Sequence, residues 1–158
     1  MAFEAPVETA KGSVIEVVLN GLQLGGQTAL PFHWFEGEFS NPPRVGFEVW
    51  DVAPTDWAKP LAHVYSGVWS EPVAWARMVV EELGAEAVYL KLMSTDPNGL
   101  SRSIAEAAGV AEMVADAIDV PLAVVGPGAP EVDAEVVQAV APRLEGRRVL
   151  LGPASEEN

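Results

Sequence analysis

The chain of 158 residues contains no cysteine. It can therefore form no disulfide, no thiolate zinc site and no cysteine-ligated iron–sulfur cluster of its own. Basic residues are scarce, with 9 Lys and Arg against 23 Asp and Glu, a net charge of −14. That balance argues against nucleic acid or an anionic membrane surface as the main partner, because phosphate binding needs clustered Lys and Arg. Histidine occurs only at His33 and His63, and neither has a second histidine or a zincin-spaced carboxylate beside it. A packed or solvated loop imidazole is the expectation at both, and no metal site is expected. No apolar run approaches the roughly 18 residues of a membrane span. The acidic start, Met1 to Ala10 with Pro6 inside it, does not read as a signal peptide. Nucleophile-elbow and Walker-type patterns are missing, and Gly126-Pro127-Gly128 lacks the fuller dinucleotide fingerprint. No self-sufficient catalytic set remains, and a cytoplasmic protein is the simplest expectation.

What is present is enough for one globular domain. Hydrophobic residues make up 49% and charged residues 20%, the profile of a folded soluble chain. Residues 13–26 read as a β-hairpin, with β-branched residues before the type I′ signal Asn20-Gly21 and Leu22 and Leu24 after it. Residues 27–43 form a connector with four aromatic residues, Phe32, Trp34, Phe35 and Phe39. That is too apolar for a free linker, so packing against the domain is expected.

From residue 44 to 158 the pattern becomes strands alternating with helices. Strands are expected near 44–51, 87–93, 122–125 and 148–151. Between them fall three helices. The first spans about 71–83, with Ser70 as N-cap and Gly84 past its end. The second opens on Ser103 and Glu106, a capping-box signature. The third runs from about Pro130 to Leu144, with Glu131 and Asp133 in its first turn and Pro142 expected to shorten its last. The alternation implies a parallel sheet with right-handed crossovers. A small open doubly wound sheet fits, and so does half of an eight-stranded TIM-type βα barrel. The fourth strand, followed by Gly152-Pro153-Ala154-Ser155 and no fourth helix, favours the partial barrel. A half barrel leaves two open edges, so instability or oligomerisation is expected of it alone.

Alternation along the strands divides the side chains between two faces. Val45, Phe47 and Val49, with Val88, Leu90 and Leu92, should face the helices. Glu48 and Lys91 then both face the barrel interior on neighbouring strands, and because burial of either charge is costly unless paired they are expected to meet, as a structural ion pair or as the polar floor of a ligand site. Barrels and open sheets both place their sites at the C-terminal strand ends. The densest polar cluster there is Ser94-Thr95-Asp96-Pro97-Asn98. As turn-formers these residues suit a plain strand-ending loop; as donors and acceptors Thr95, Asp96 and Asn98 suit a polar ligand. Asp51 and Gly126 are weaker candidates on neighbouring strands.

Several segments in order resemble one family. They are Gly25-Gly26 with Ala29-Leu30-Pro31-Phe32-His33 and Phe35-Glu36-Gly37, then Asn41-Pro42-Pro43 leading into Phe47-Glu48-Val49, Glu71-Pro72-Val73-Ala74-Trp75-Ala76, Ser94 to Asn98, and Asp133-Ala134-Glu135-Val136. Together they resemble the small subunit of the corrinoid iron–sulfur protein, the delta subunit of the acetyl-CoA decarbonylase/synthase complex. Glu71 stands where that family's pattern has an aspartate before the proline. The resemblance runs from about residue 13 to the end and implies the N-terminal half of a βα barrel. It further implies a non-catalytic subunit in the Wood–Ljungdahl pathway, supporting methyl transfer between a methyltetrahydropterin, a cobalt corrinoid and acetyl-CoA synthase. The implied partners are a large subunit carrying the iron–sulfur cluster and main corrinoid domain and, transiently, the methyltransferase and acetyl-CoA synthase. The corrinoid is shared with that large subunit. Thr95, Asp96 and Asn98, and more weakly Asp51 and Gly126, would then hydrogen-bond the corrinoid's amide side chains. Two other readings stay open. One is a pterin-binding methyltransferase barrel in which Asp96 and Asn98 hold the pterin. The other is a stand-alone open α/β binding domain.

Overall fold

The computed structural model describes residues 6–9 and 11–153. Ala154 and Ser155, read above as part of the fourth strand end, lie outside the described residues. The chain divides into two compact units, Met1–Arg44 and Val45–Asn158.

In the first unit, β1 (Val17–Leu19) and β2 (Leu22–Leu24) pair antiparallel, with Leu19 opposite Leu22. Asn20 and Gly21 both take positive φ, +45° and +86°, as a type I′ turn requires. The regular strands are shorter than 13–26, but pairing continues beyond them. Val14 N–H donates to the Gln27 carbonyl and Gly26 N–H to the Val14 carbonyl, both at 2.9 Å. Gly25 permits this approach: a Cβ there would stand 2.2 Å from the Ile15 carbonyl oxygen. The connector carries three exposed Phe and Trp rings. Phe32, Trp34 and Phe35 are 82%, 69% and 51% exposed, so these three are not packed into a core.

In the second unit, β3 (Phe47–Trp50), β4 (Val88–Lys91), β5 (Leu122–Val125) and β6 (Val149–Gly152) form one parallel sheet in the order β3-β4-β5-β6. Sequential order without reversal is the winding of a barrel wall, not of a doubly wound sheet. Three helices follow their strands: α2 (Pro72–Glu81), α3 (Ile104–Ala117) and α4 (Pro130–Val140). They cover one face. Trp75, Val79, Ala107, Ala111, Val114, Val136 and Val140 join Val49, Val88, Leu90 and Val124 in one core of side chains almost without exposure. The opposite face is open, with Leu150 43% and Tyr89 39% exposed. This α/β arrangement is consistent with a partial barrel, and β3 and β6 are its edges.

Among the described residues there are four α-helices rather than three. The additional α1 (Lys59–Tyr65) is short and carries no buried residue, so it lacks the wide apolar stripe by which helices are read. It also places His63 in a helix, not in a loop. Pro142 acts as expected: α4 tightens into a 3₁₀ turn over Ala141–Leu144. The capping-box bonds do not form. Ser103 is the N-cap of α3 without a side-chain bond, and its carbonyl accepts the Glu106 and Ala107 N–H groups, each at 3.1 Å. Helix α2 is capped by Glu71 rather than Ser70, also without a side-chain bond.

The sidedness of the sheet sets an expectation. Leu90→Ala should cost about 2–5 kcal/mol through lost burial and a cavity. Leu150→Ala on the open face should cost under about 1 kcal/mol. Urea denaturation of both variants checks this, and equal losses would mean that the second face is covered.

Candidate functional site

Parallel pairing sets Glu48 opposite Tyr89, Trp50 opposite Lys91, and Lys91 opposite Val125. The strands therefore finish level, and the residues after them meet. Asp51 follows β3 and is 6% exposed. Its Oδ1 accepts the backbone N–H of Ser94 at 2.9 Å, and its Oδ2 accepts the Ser94 hydroxyl. Burial raises the Asp51 carboxyl above the usual carboxylate range, although the Ser94 bonds and the Arg102 charge pull the other way.

The loop after β4 has a buried root and an exposed tip. Ser94 and Thr95 are 3% and 4% exposed. The Thr95 hydroxyl donates to the Leu92 carbonyl at 2.8 Å. Asp96 is half-buried and its Oδ1 accepts the Asn98 N–H at 2.8 Å, an Asx turn. Asn98 stands exposed at the tip. Gly126 has a packing role: a Cβ there would lie 2.1 Å from Asp133 Oδ1. Asp133, 2% exposed at the start of α4, accepts the Gly128 N–H at 3.0 Å. The structure thus brings Asp51 to Ser94, leaves Asp96 and Asn98 outward, and sets Gly126 against a helix.

Glu48 and Lys91 lie on one face as expected, but the expected ion pair is replaced by a bridge through Trp50. The Trp50 indole N–H donates to Glu48 Oε1, and the Lys91 ammonium lies over the same ring, 5.9 Å from its centroid. Glu48 is exposed and Lys91 half-buried. An open face does not require their charges to neutralise each other. Tyr89 beside them is pushed up, first by burial and then by the Glu48 and Asp133 carboxylates.

Sequence reading missed the aromatic cluster next to these strand ends. Trp57 meets Trp50 at 5.2 Å and Trp75 at 5.4 Å, both edge-on, and Tyr65 meets Trp75 at 5.4 Å. The available signal was density: four of the five tryptophans fall within residues 50–75. The indole N–H of the fully buried Trp75 has no acceptor among the described residues. The His33 Nδ1 lies 3.0 Å from Glu36 Oε2. The Glu8 N–H, and then His33, hold the Glu36 carboxyl below its ordinary value. Among the described residues no cluster of three His, Asp or Glu could hold a metal ion, and no helix is long and apolar enough to cross a membrane.

Residues 15–158 match the family described as CO dehydrogenase/acetyl-CoA synthase delta subunit. The chain belongs to this family. It is 38% identical over 158 aligned residues to the acetyl-CoA decarbonylase/synthase complex subunit delta of Methanothermobacter thermautotrophicus, covering 97% of this chain and 40% of that protein. The subunits of the same name from Methanocaldococcus jannaschii and Archaeoglobus fulgidus are each 34% identical, covering 98% and 97% of this chain and 40% and 36% of theirs. The chain thus spans about two fifths of the length of these delta-subunit relatives rather than half.

The raised Asp51 value has a sign. A folded-state pKa above the unfolded one contributes stability below the unfolded value and loses it as pH rises through the folded value. Asp51→Asn cannot titrate. Its stability relative to the parent should therefore improve as pH climbs from about 4 toward neutrality. Denaturation midpoints across that range check it, and a relative gain on acidification would reverse the assignment.

Proposed function

We propose that this chain is part of the non-catalytic delta subunit of a corrinoid iron–sulfur methyl-carrier complex of the acetyl-CoA pathway. In this reading it acts in the cytoplasm and supports methyl transfer between a methyltetrahydropterin, a cobalt corrinoid and acetyl-CoA synthase. The partner is a large subunit that supplies the iron–sulfur cluster and the main corrinoid domain. The methyltransferase and acetyl-CoA synthase engage transiently. The observation that carries the reading is the family match over residues 15–158 on a sequentially wound sheet whose polar loop lies at the C-terminal strand ends.

The donor set suits an amide-rimmed ligand in part. The Asn98 amide offers both a donor and an acceptor at an exposed tip, and Asp96 keeps one carboxylate oxygen beyond its turn bond. These two residues would hold the corrinoid's amide arms. Thr95 and Gly126 shape the loops behind them. When bound, the corrinoid supplies the metal chemistry of methyl transfer; this chain's share is to bind, orient and exclude water.

Co-expression with the large subunit, followed by purification and an absorption spectrum, tests the reading. Corrinoid bands are expected in a complex that contains this chain, with less corrinoid retained by Asn98→Ala. A folded, colourless chain that captures no partner would overturn it. Calorimetric heat on adding methyltetrahydropterin to the isolated chain would favour a pterin-binding methyltransferase instead.

A further inference from the structure

The loop leaving β4 is wired through one residue. Ser94 gives its N–H to Asp51 Oδ1 at 2.9 Å and its hydroxyl to Asp51 Oδ2. Its carbonyl accepts the Arg102 N–H at 2.8 Å. Ser94 thus meets the neighbouring strand on one side and closes the loop 94–102 on the other. Inside the loop the Asp96 carbonyl accepts the N–H groups of Gly99 and Ser101, each at 3.0 Å. The Ser101 hydroxyl reaches the Asp96 and Pro97 carbonyls at 3.3 and 3.2 Å. These bonds hold Ser101 at φ +46°, an uncommon conformation for a residue with a Cβ. The tip, 97–100, stays exposed and presents the Asn98 amide beside Leu100, 57% exposed. Such a loop is largely ordered before anything binds, which lowers the entropic cost of a contact at its tip.

Asp51 is buried and both of its oxygens are engaged by Ser94, so it has no free oxygen lying outward. A buried carboxylate is costly unless bonded, and an apolar residue would fill the same space more readily. What an apolar residue could not supply is a two-point grip on the neighbouring strand end. We propose that Asp51 is a positioning residue: acting through Ser94, it holds the loop 94–102 in the conformation that presents Asn98, and does not itself touch the ligand. That the presented tip meets a corrinoid rests on the functional reading above; that Asp51 holds the loop does not.

Amide hydrogen exchange on the full chain, together with corrinoid retention by the co-expressed complex, separates the two. Asp51→Leu removes both acceptors. Exchange at the Arg102 amide should speed by about tenfold, the effect of about one hydrogen bond, while Leu90 and Val124 stay protected. Asp51→Asn can still accept the Ser94 N–H and can donate to its hydroxyl, so it should keep parental protection and corrinoid. Ser94→Ala keeps the N–H bond and loses the hydroxyl bond, so it should fall between, and it decides the matter if Asp51→Leu does not fold. Parental protection at Arg102 in Asp51→Leu, or in Ser94→Ala where that variant decides, overturns the positioning role. So does equal loosening in Asp51→Asn and Asp51→Leu. A loosened loop with undiminished corrinoid overturns the ligand-presenting role. A parental complex without corrinoid overturns the functional reading and leaves a loosened loop in Asp51→Leu as support for the positioning role.

Discussion

The strand ends depend on the parallel register. Pairing Trp50 with Lys91, and Lys91 with Val125, makes three strands finish at one level. One residue beyond that level, Asp51 is within reach of Ser94. A slip of one residue would turn Val49 and Leu90 out of the helix-covered core and Glu48 and Lys91 into it. The register is therefore held by the same burial that makes the fold stable. The loop geometry follows from it: Ser94 is anchored because its strand is.

The two sheet faces divide the work. Beneath α2, α3 and α4 the core is almost purely aliphatic, with Trp75 the one large aromatic fully buried in it among the described residues. The other face carries Glu48, Trp50, Tyr89 and Lys91, and there a tryptophan does what a direct ion pair would otherwise do. An exposed pair of charges contributes little in water. The indole accommodates both partners, one by its N–H and one by its ring. Polar groups at the strand ends are treated differently because they are buried, so each acquires a specific bond: Asp51 to Ser94, Thr95 to Leu92, Asp133 to Gly128.

Much of this was legible in the residues. The Asn20-Gly21 turn, the four parallel strands and the three covering helices follow from turn chemistry and hydrophobic period. Helix α1 was not legible, because none of its residues is buried and its place depends on rings from elsewhere, Trp57 and Trp75 against Tyr65. Nor were the caps. Ser103 and Glu106 have the right spacing, yet the backbone carbonyl of Ser103 satisfies the first helical N–H groups. The candidate site was legible as a location and not as a set of roles. Thr95, Asp96 and Asn98 lie within four consecutive positions, but one is buried in a local bond, one is shared and one is exposed.

By itself the sequence determined the periodicities, the order of elements, which side of each strand is apolar and, through its ordered motifs, the family. Those are local properties, set by residue type and spacing. The tertiary structure decided which polar groups are free. Asp51 and Ser94 are 43 positions apart, and only sheet pairing makes them partners. Glu48 and Lys91 share a face, and only the register and the open side of the sheet decide that Trp50 mediates between them. Such outcomes depend on burial and on distances between segments remote in the chain, and no local pattern encodes either.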